Sequence, residues 1–180
     1  MSRSARWMLA VLAVAAALRL QGLDWDEGQH LHPDERFLTM VAGAIRPPAS
    51  VAQYLDTAAS PLNPANRGHT FFVYGTFPLF LVRAVAGALG LGAYWNVHLV
   101  GRALSALFDV GTVWLTWRIG LLVAGPLAGI AAAALLATSA FSIQHAHFFT
   151  VDSTATFWAT AALLALLRVA RGGGLGAHAA

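Results

Sequence analysis

In 180 residues the chain carries 58% hydrophobic side chains and only 11% charged ones, with a formal net charge of +3 and no cysteine. A soluble domain is about one quarter charged, so the composition excludes an ordinary soluble fold and points to a membrane protein. The eleven basic residues are all arginine and stand singly, so they form no stripe for a nucleic-acid partner, and disulfides and thiolate metal sites are excluded outright.

A membrane-crossing helix needs about 20 mainly apolar residues. The first candidate covers residues 7–20, with Arg3 and Arg6 before it and Arg19 close enough to its end to snorkel. The same basic start and short apolar core fit a secretory signal peptide, but the retained anchor is favoured because the rest of the chain is also apolar. Residues 21–97 form a long first outer loop, whose polar part up to residue 70 is broken by Pro47-Pro48, Asn63-Pro64 and Asn66-Arg67-Gly68. Within it Pro33 suits a first helical position, and Phe37, Leu38, Val41 and Ile45 follow at near-helical spacing. That pattern predicts a short amphipathic helix against the membrane, ending near Arg46-Pro47. Residues 71–91 are long enough to span but contain Pro78 and Arg83. Clearer spans follow at about 98–118, 126–143 and 153–167, and the tail 172–180 has no core-forming pattern and reads as disordered or truncated.

The distribution of arginine decides the ambiguous piece. With a cytoplasmic N-terminus and 71–91 not crossing, Arg3, Arg6, Arg118, Arg168 and Arg171 all lie inside, as the positive-inside rule favours. If 71–91 crosses, Arg118, Arg168 and Arg171 move outside. The expected fold is therefore all-α: a polytopic membrane bundle of about four transmembrane helices, with 71–91 a juxtamembrane or re-entrant helix pair in the outer loop.

Five of the eight acids, Asp24, Asp26, Glu27, Asp34 and Glu35, fall within twelve positions. Loops beside spans are polar because they are wet, and acids are common caps in a first helical turn, so the cluster has an ordinary explanation. Its chemical reading is more specific. Asp34 and Glu35 would sit in the first turn after Pro33, where the helix dipole favours ionised carboxylates able to accept a proton or bind a metal. The second outer loop, "QHAHFFTVDS", repeats the pattern with His145, His147 and Asp152. If helical, it places His145 and Asp152 on one face, and Asp152 is equally a plain N-cap. His-x-His pairs also suit a divalent metal, which makes His30, His32, His145 and His147 the candidate ligands. Asp109 lies mid-span, where a charge is costly unless paired. Arg102 is two turns away from it, so Asp109 either packs the bundle as a paired or protonated carboxyl or serves a cavity. The aromatics read as an interfacial belt.

The order "PDERF", "YGTFPLFLVR", "GRALSALFDVGTVWLTWRIG" and "HAHFFTVDSTATFW" resembles the N-terminal part of the polyprenyl-phosphate-sugar-dependent glycosyltransferases of the C-type membrane fold, which include protein O-mannosyltransferases and aminoarabinose transferases. The similarity covers about residues 7–168, within a module of 1–171. It implies that Asp34 is the catalytic base with Glu35 beside it, that Asp152 helps form the site, and that Arg102 contacts a phosphate; the second acidic pair, Asp26-Glu27, leaves the base open between Asp34 and Asp26. It further implies a multi-pass protein of the cell membrane with an extracytoplasmic site. That site would move a hexose of the mannosyl type from a polyprenyl-phosphate donor to a hydroxyl acceptor, with inversion. Metal is the one cofactor the histidines would suit, membrane lipid surrounds the chain, and four spans are fewer than such enzymes have, so the chain reads as part of a longer one. The alternative is a non-catalytic or transport-type membrane protein in which Asp109 and the histidines form a proton or metal path.

Overall fold

The computed structural model describes residues 3–172; the expectation for the tail 172–180 falls almost wholly outside them. The described residues are helical, with no strand. In chain order they form α1 (Arg3–Leu20), α2 (Pro33–Ala44), α3 (Val51–Leu55), a 3₁₀ turn (Pro64–Arg67), α4 (Thr76–Ala88), α5 (Tyr94–Ala124), α6 (Pro126–Ala137), α7 (Ala140–Ala146) and α8 (Asp152–Ala170).

By length and composition, α5 and α8 can each cross a membrane, and α6 with α7 would make a third span if the pair is one bent crossing. The helix α1 has three arginines in eighteen residues and does not reach that standard. The expected unbroken span at 126–143 is corrected: it divides between α6 and α7 with a bend of 59°. The cause is the pair Thr138-Ser139. Thr138 turns its hydroxyl back onto the Ala134 carbonyl at 2.9 Å, and the Ser139 hydroxyl accepts from the Ser142 N–H, so one hydroxyl closes α6 and the next caps α7. The expected helix pair at 71–91 is likewise one helix, α4, of 13 residues. At 1.5 Å per residue it measures about 20 Å, too short for a hydrocarbon core of about 30 Å. Pro78 costs it little, because the third position of a helix has no intrahelical partner for its N–H.

The chain divides into two compact units. The loop unit comprises Gly22–Ser105 with Phe148–Val151. Its core joins Leu38, Val41 and Ile45 from the α2 segment, Leu79, Val82 and Ala86 from α4, Val97 and Val100 from α5, and Phe149. As its sequence predicts, α2 starts at Pro33 and ends before Arg46-Pro47, where a residue preceding proline is driven out of helical conformation. Phe149 lies so close over Gly101 that a Cβ there would stand 2.2 Å from its ring, so only glycine admits this packing. The 148–151 segment is thereby fastened into the unit formed by the long first loop. Phe148 adds to this, with its ring 5.8 Å from Trp25 and 4.7 Å from His32.

Among the described residues, the bundle unit comprises 3–21, Ala106–His147 and 152–172. Met8 and Ala15 of α1 pack with Val113 of α5 and with Ala133 and Ala137 of α6. Where α5 meets α6, a Cβ on Gly120 would come within 2.7 Å of the Gly129 Cα. Small residues let these two backbones touch, the usual means of helix association where hydrophobicity gives no drive.

Candidate functional site

In the loop unit the acidic cluster is organised by one cation. Arg102, on the first part of α5, is completely buried. Its Nε and Nη2 donate to the two oxygens of Glu35 at 2.6 and 3.1 Å, its Nη2 also donates to Asp26 at 2.9 Å, and its Nη1 donates to the Leu23 carbonyl at 2.7 Å. The fork geometry of guanidinium and carboxylate makes this bidentate pair strong and directional, and the Trp25 ring covers the guanidinium at 5.6 Å. Asp26 takes two further N–H groups, from Gly28 and Leu31. To wrap around it the chain passes through positive φ at two non-glycine residues, Glu27 and His30, a conformation that costs on the order of 1–3 kcal/mol each.

Burial opposes ionisation of Asp26, but the hydrogen bond and charge of Arg102 and the two N–H groups outweigh it and hold the carboxyl down at about 2, from an ordinary 3.8. A lowered folded-state value stabilises the protein above the unfolded value and loses that contribution as pH falls through the folded one. The loop unit should thus lose about 2 kcal/mol between pH 4 and pH 2 on account of Asp26. Thermal unfolding across that range checks this: Asp26→Asn should flatten the acid limb of the stability curve, and an unchanged limb would contradict the assignment.

Asp34 and Glu35 are adjacent in sequence and opposite in fate. Glu35 is fully buried and held by Arg102, whereas the neighbouring Asp34 is half-buried and forms no hydrogen bond or ion pair among the described residues. The helical rotation between consecutive residues separates them, turning one inward and leaving the other at the boundary. The guanidinium that the family resemblance assigns to a phosphate is therefore already enclosed by two carboxylates. A buried charge needs such partners.

The four histidines do not gather. His30 is buried in the loop unit, its ring 4.5 Å from that of His98 and 5.0 Å from Tyr94, with neither ring nitrogen hydrogen-bonded among the described residues. His32 lies against Phe148. In the bundle unit, His147 has its ring nitrogens 2.7 and 2.8 Å from the carbonyls of Ile143 and Gln21. The His145 ring lies against Phe141 at 4.3 Å. Among the described residues, no three His, Asp or Glu side chains are placed to hold a metal ion.

The bundle unit has its own polar centre. Arg19, expected to snorkel outward, is instead fully buried and pairs through Nε with Asp109 of α5. Its other nitrogens donate to the carbonyls of Ala137 at 2.8 Å and Leu136 at 3.1 Å, and to the Ser142 hydroxyl at 3.1 Å. Those carbonyls lie at the broken end of α6, where the helix has no N–H groups left to satisfy them. Ser142 in turn donates to Asp109 at 2.7 Å. One arginine thus neutralises the mid-span acid and caps the break. Sequence reading missed this partnership and that of Arg102 with Glu35. The available signal was that a charge inside an apolar span needs a partner of opposite sign. Beside this network lies a cavity of about 360 Å³ that His145 and Asp152 line together with Asp109. These two are on separate helices, α7 and α8, rather than on the single helical face their spacing suggested.

No protein-family model, curated protein or solved structure matches this chain.

Proposed function

We propose that this chain is the catalytic part of a membrane glycosyltransferase that moves a hexose from a polyprenyl-phosphate donor to an acceptor hydroxyl, with Asp34 as the base. The observation that carries the reading is the division of roles within the acidic cluster. Glu35 and Asp26 are committed to Arg102, and Asp26, held near 2, is too weak a base to take a proton from a hydroxyl. Asp34 alone of these three is uncommitted, half-buried at the first turn of α2. Sequence resemblance and side-chain geometry thus both support Asp34 over Asp26 in this reading.

In this mechanism Asp34 accepts the hydroxyl proton as the acceptor oxygen bonds to the anomeric carbon. The bond from that carbon to the phosphate oxygen breaks on the opposite face, the polyprenyl phosphate leaves with the electron pair, and the configuration inverts. Positioning of donor and acceptor supplies the larger share of the acceleration.

The proposed topology has four crossings: α1, α5, the bent α6–α7 pair and α8, with both loops extracytoplasmic and the N-terminus inside. It is supported by the packing of Phe148–Val151 into the same unit as the first loop. The transport alternative needs Asp109 free to exchange protons, whereas Arg19 and Ser142 both hold it. Because the chain contains no cysteine, single-cysteine variants at residues 31 and 152 can be labelled cleanly in intact cells. An impermeant maleimide should reach both, and labelling of residue 152 only after permeabilisation would refute a shared side.

A further inference from the structure

The cavity of the bundle unit has a mostly apolar wall, with Leu136 and Phe141 on it, into which several hydroxyls and two carboxylates are set. Asp109 receives Arg19 and Ser142 on the same oxygen, Oδ2, which leaves Oδ1 without a partner among the described residues. Ser153 is 96% buried, its residue exposure being 4%, and its hydroxyl makes no hydrogen bond. A polar group without a partner is costly, and a wholly apolar occupant would leave Asp109 Oδ1 unsatisfied. Thr156 and Ser139 add two more hydroxyls, and Asp152 adds an exposed carboxylate. No arginine lines the space; Arg19 is turned to Asp109 and the α6 carbonyls. Acceptors thus outnumber donors; of the two carboxylates Asp109 is matched by Arg19 and Asp152 is not, and His145 is the one basic side chain on the wall. A bare metal ion is not served either, since no three ligands converge.

From this chemistry we infer that the cavity is a binding site for one neutral or amine-bearing polyhydroxylated ring, a hexose or aminohexose, and that it rejects uronic acids and free phosphates. Hydroxyl groups both donate and accept, so they can pair with Asp109 Oδ1 and with Thr156 at once. A volume of about 360 Å³ lies at the small end of ligand pockets, suited to a single ring rather than an oligosaccharide. Phe141, packed on His145, offers an apolar face for the ring's C–H groups. The inference rests on the transferase reading only for the source of the sugar, a lipid-linked donor; the recognition chemistry stands without it.

Saturation-transfer NMR on the purified full chain in detergent, with methyl mannoside, methyl glucosaminide and methyl glucuronide as probes, tests this. The first two should receive saturation and the glucuronide should bind roughly tenfold more weakly or worse, like charges being expensive at close range. Thr156→Leu, at an exposed position, and Ser153→Leu should each abolish the signal, the former serving if the latter fails to fold. Absence of binding by all three glycosides, equal binding of the glucuronide, or full binding in Thr156→Leu would overturn the inference. Asp34→Asn keeps the cavity intact and should bind normally. Glycoside binding by a chain with no transferase activity would therefore refute the transferase reading alone.

Discussion

Asp34→Asn is expected to lower sugar transfer by about 100- to 10,000-fold, the contribution of a positioned general base, while leaving the melting temperature unchanged. The two halves of this expectation have separate grounds. Loss of activity follows if the carboxylate takes the acceptor proton, which an amide cannot do. Retention of the fold follows because Asp34 has no hydrogen bond or ion pair among the described residues and is only half-buried, so nothing in the loop unit depends on its charge. Transfer from a lipid-linked donor, assayed beside thermal unfolding in detergent, separates the two. Parental turnover in the Asp34→Asn variant would remove Asp34 as the base, whereas loss of both activity and stability would show a structural role instead. Glu35→Gln provides the contrast, since its loss of transfer should come with a lowered melting temperature.

Arg102→Met should destabilise the loop unit by about 3–5 kcal/mol, the cost of leaving buried charge unmatched. Two carboxylates, Glu35 and Asp26, would lose their shared cation, and neither can reach water from its present position. The consequence would extend to catalysis, because α2 presents Asp34 from the same turn that Arg102 holds through Glu35. Removing the carboxylates together with the cation should reverse most of the damage. The triple variant Arg102→Met, Glu35→Met, Asp26→Asn is expected to melt close to the parent, since well-packed neutral groups often replace a buried ion cluster without loss. Thermal unfolding of the single and triple variants decides it. A single variant as stable as the parent would mean that Arg102 does not organise the cluster.

These two expectations concern residues that sequence reading treated unequally. Asp34 stood out because Pro33 sets a helical start and places the next residues in a first turn, a local matter that the structure reproduces at α2. Arg102 stood out as a cation opening an apolar span, but its partner was not legible. Glu35 is 67 positions away and Asp26 is 76, and neither periodicity nor spacing reports on contacts over such separations. The same holds for Arg19 and Asp109, 90 positions apart, whose pairing turns an expected outward-reaching side chain into a buried cap.

By itself the sequence determined what composition and near-neighbour geometry control: an all-helical chain, the apolar cores of α5 and α8, the start and end of α2, and a carboxylate pair in its first turn. Hydrophobic period, proline and helix dipole act over a few residues, so they can be read in one dimension. Tertiary structure decided which charges are satisfied and which remain free. It bent the third apolar stretch at Thr138-Ser139, locked Glu35 and Asp26 on Arg102, tied Asp109 to Arg19, and left Asp34 and the Ser153 hydroxyl without partners among the described residues. The reason is that pairing a buried charge depends on where distant segments meet in space, and that is settled only when the helices pack.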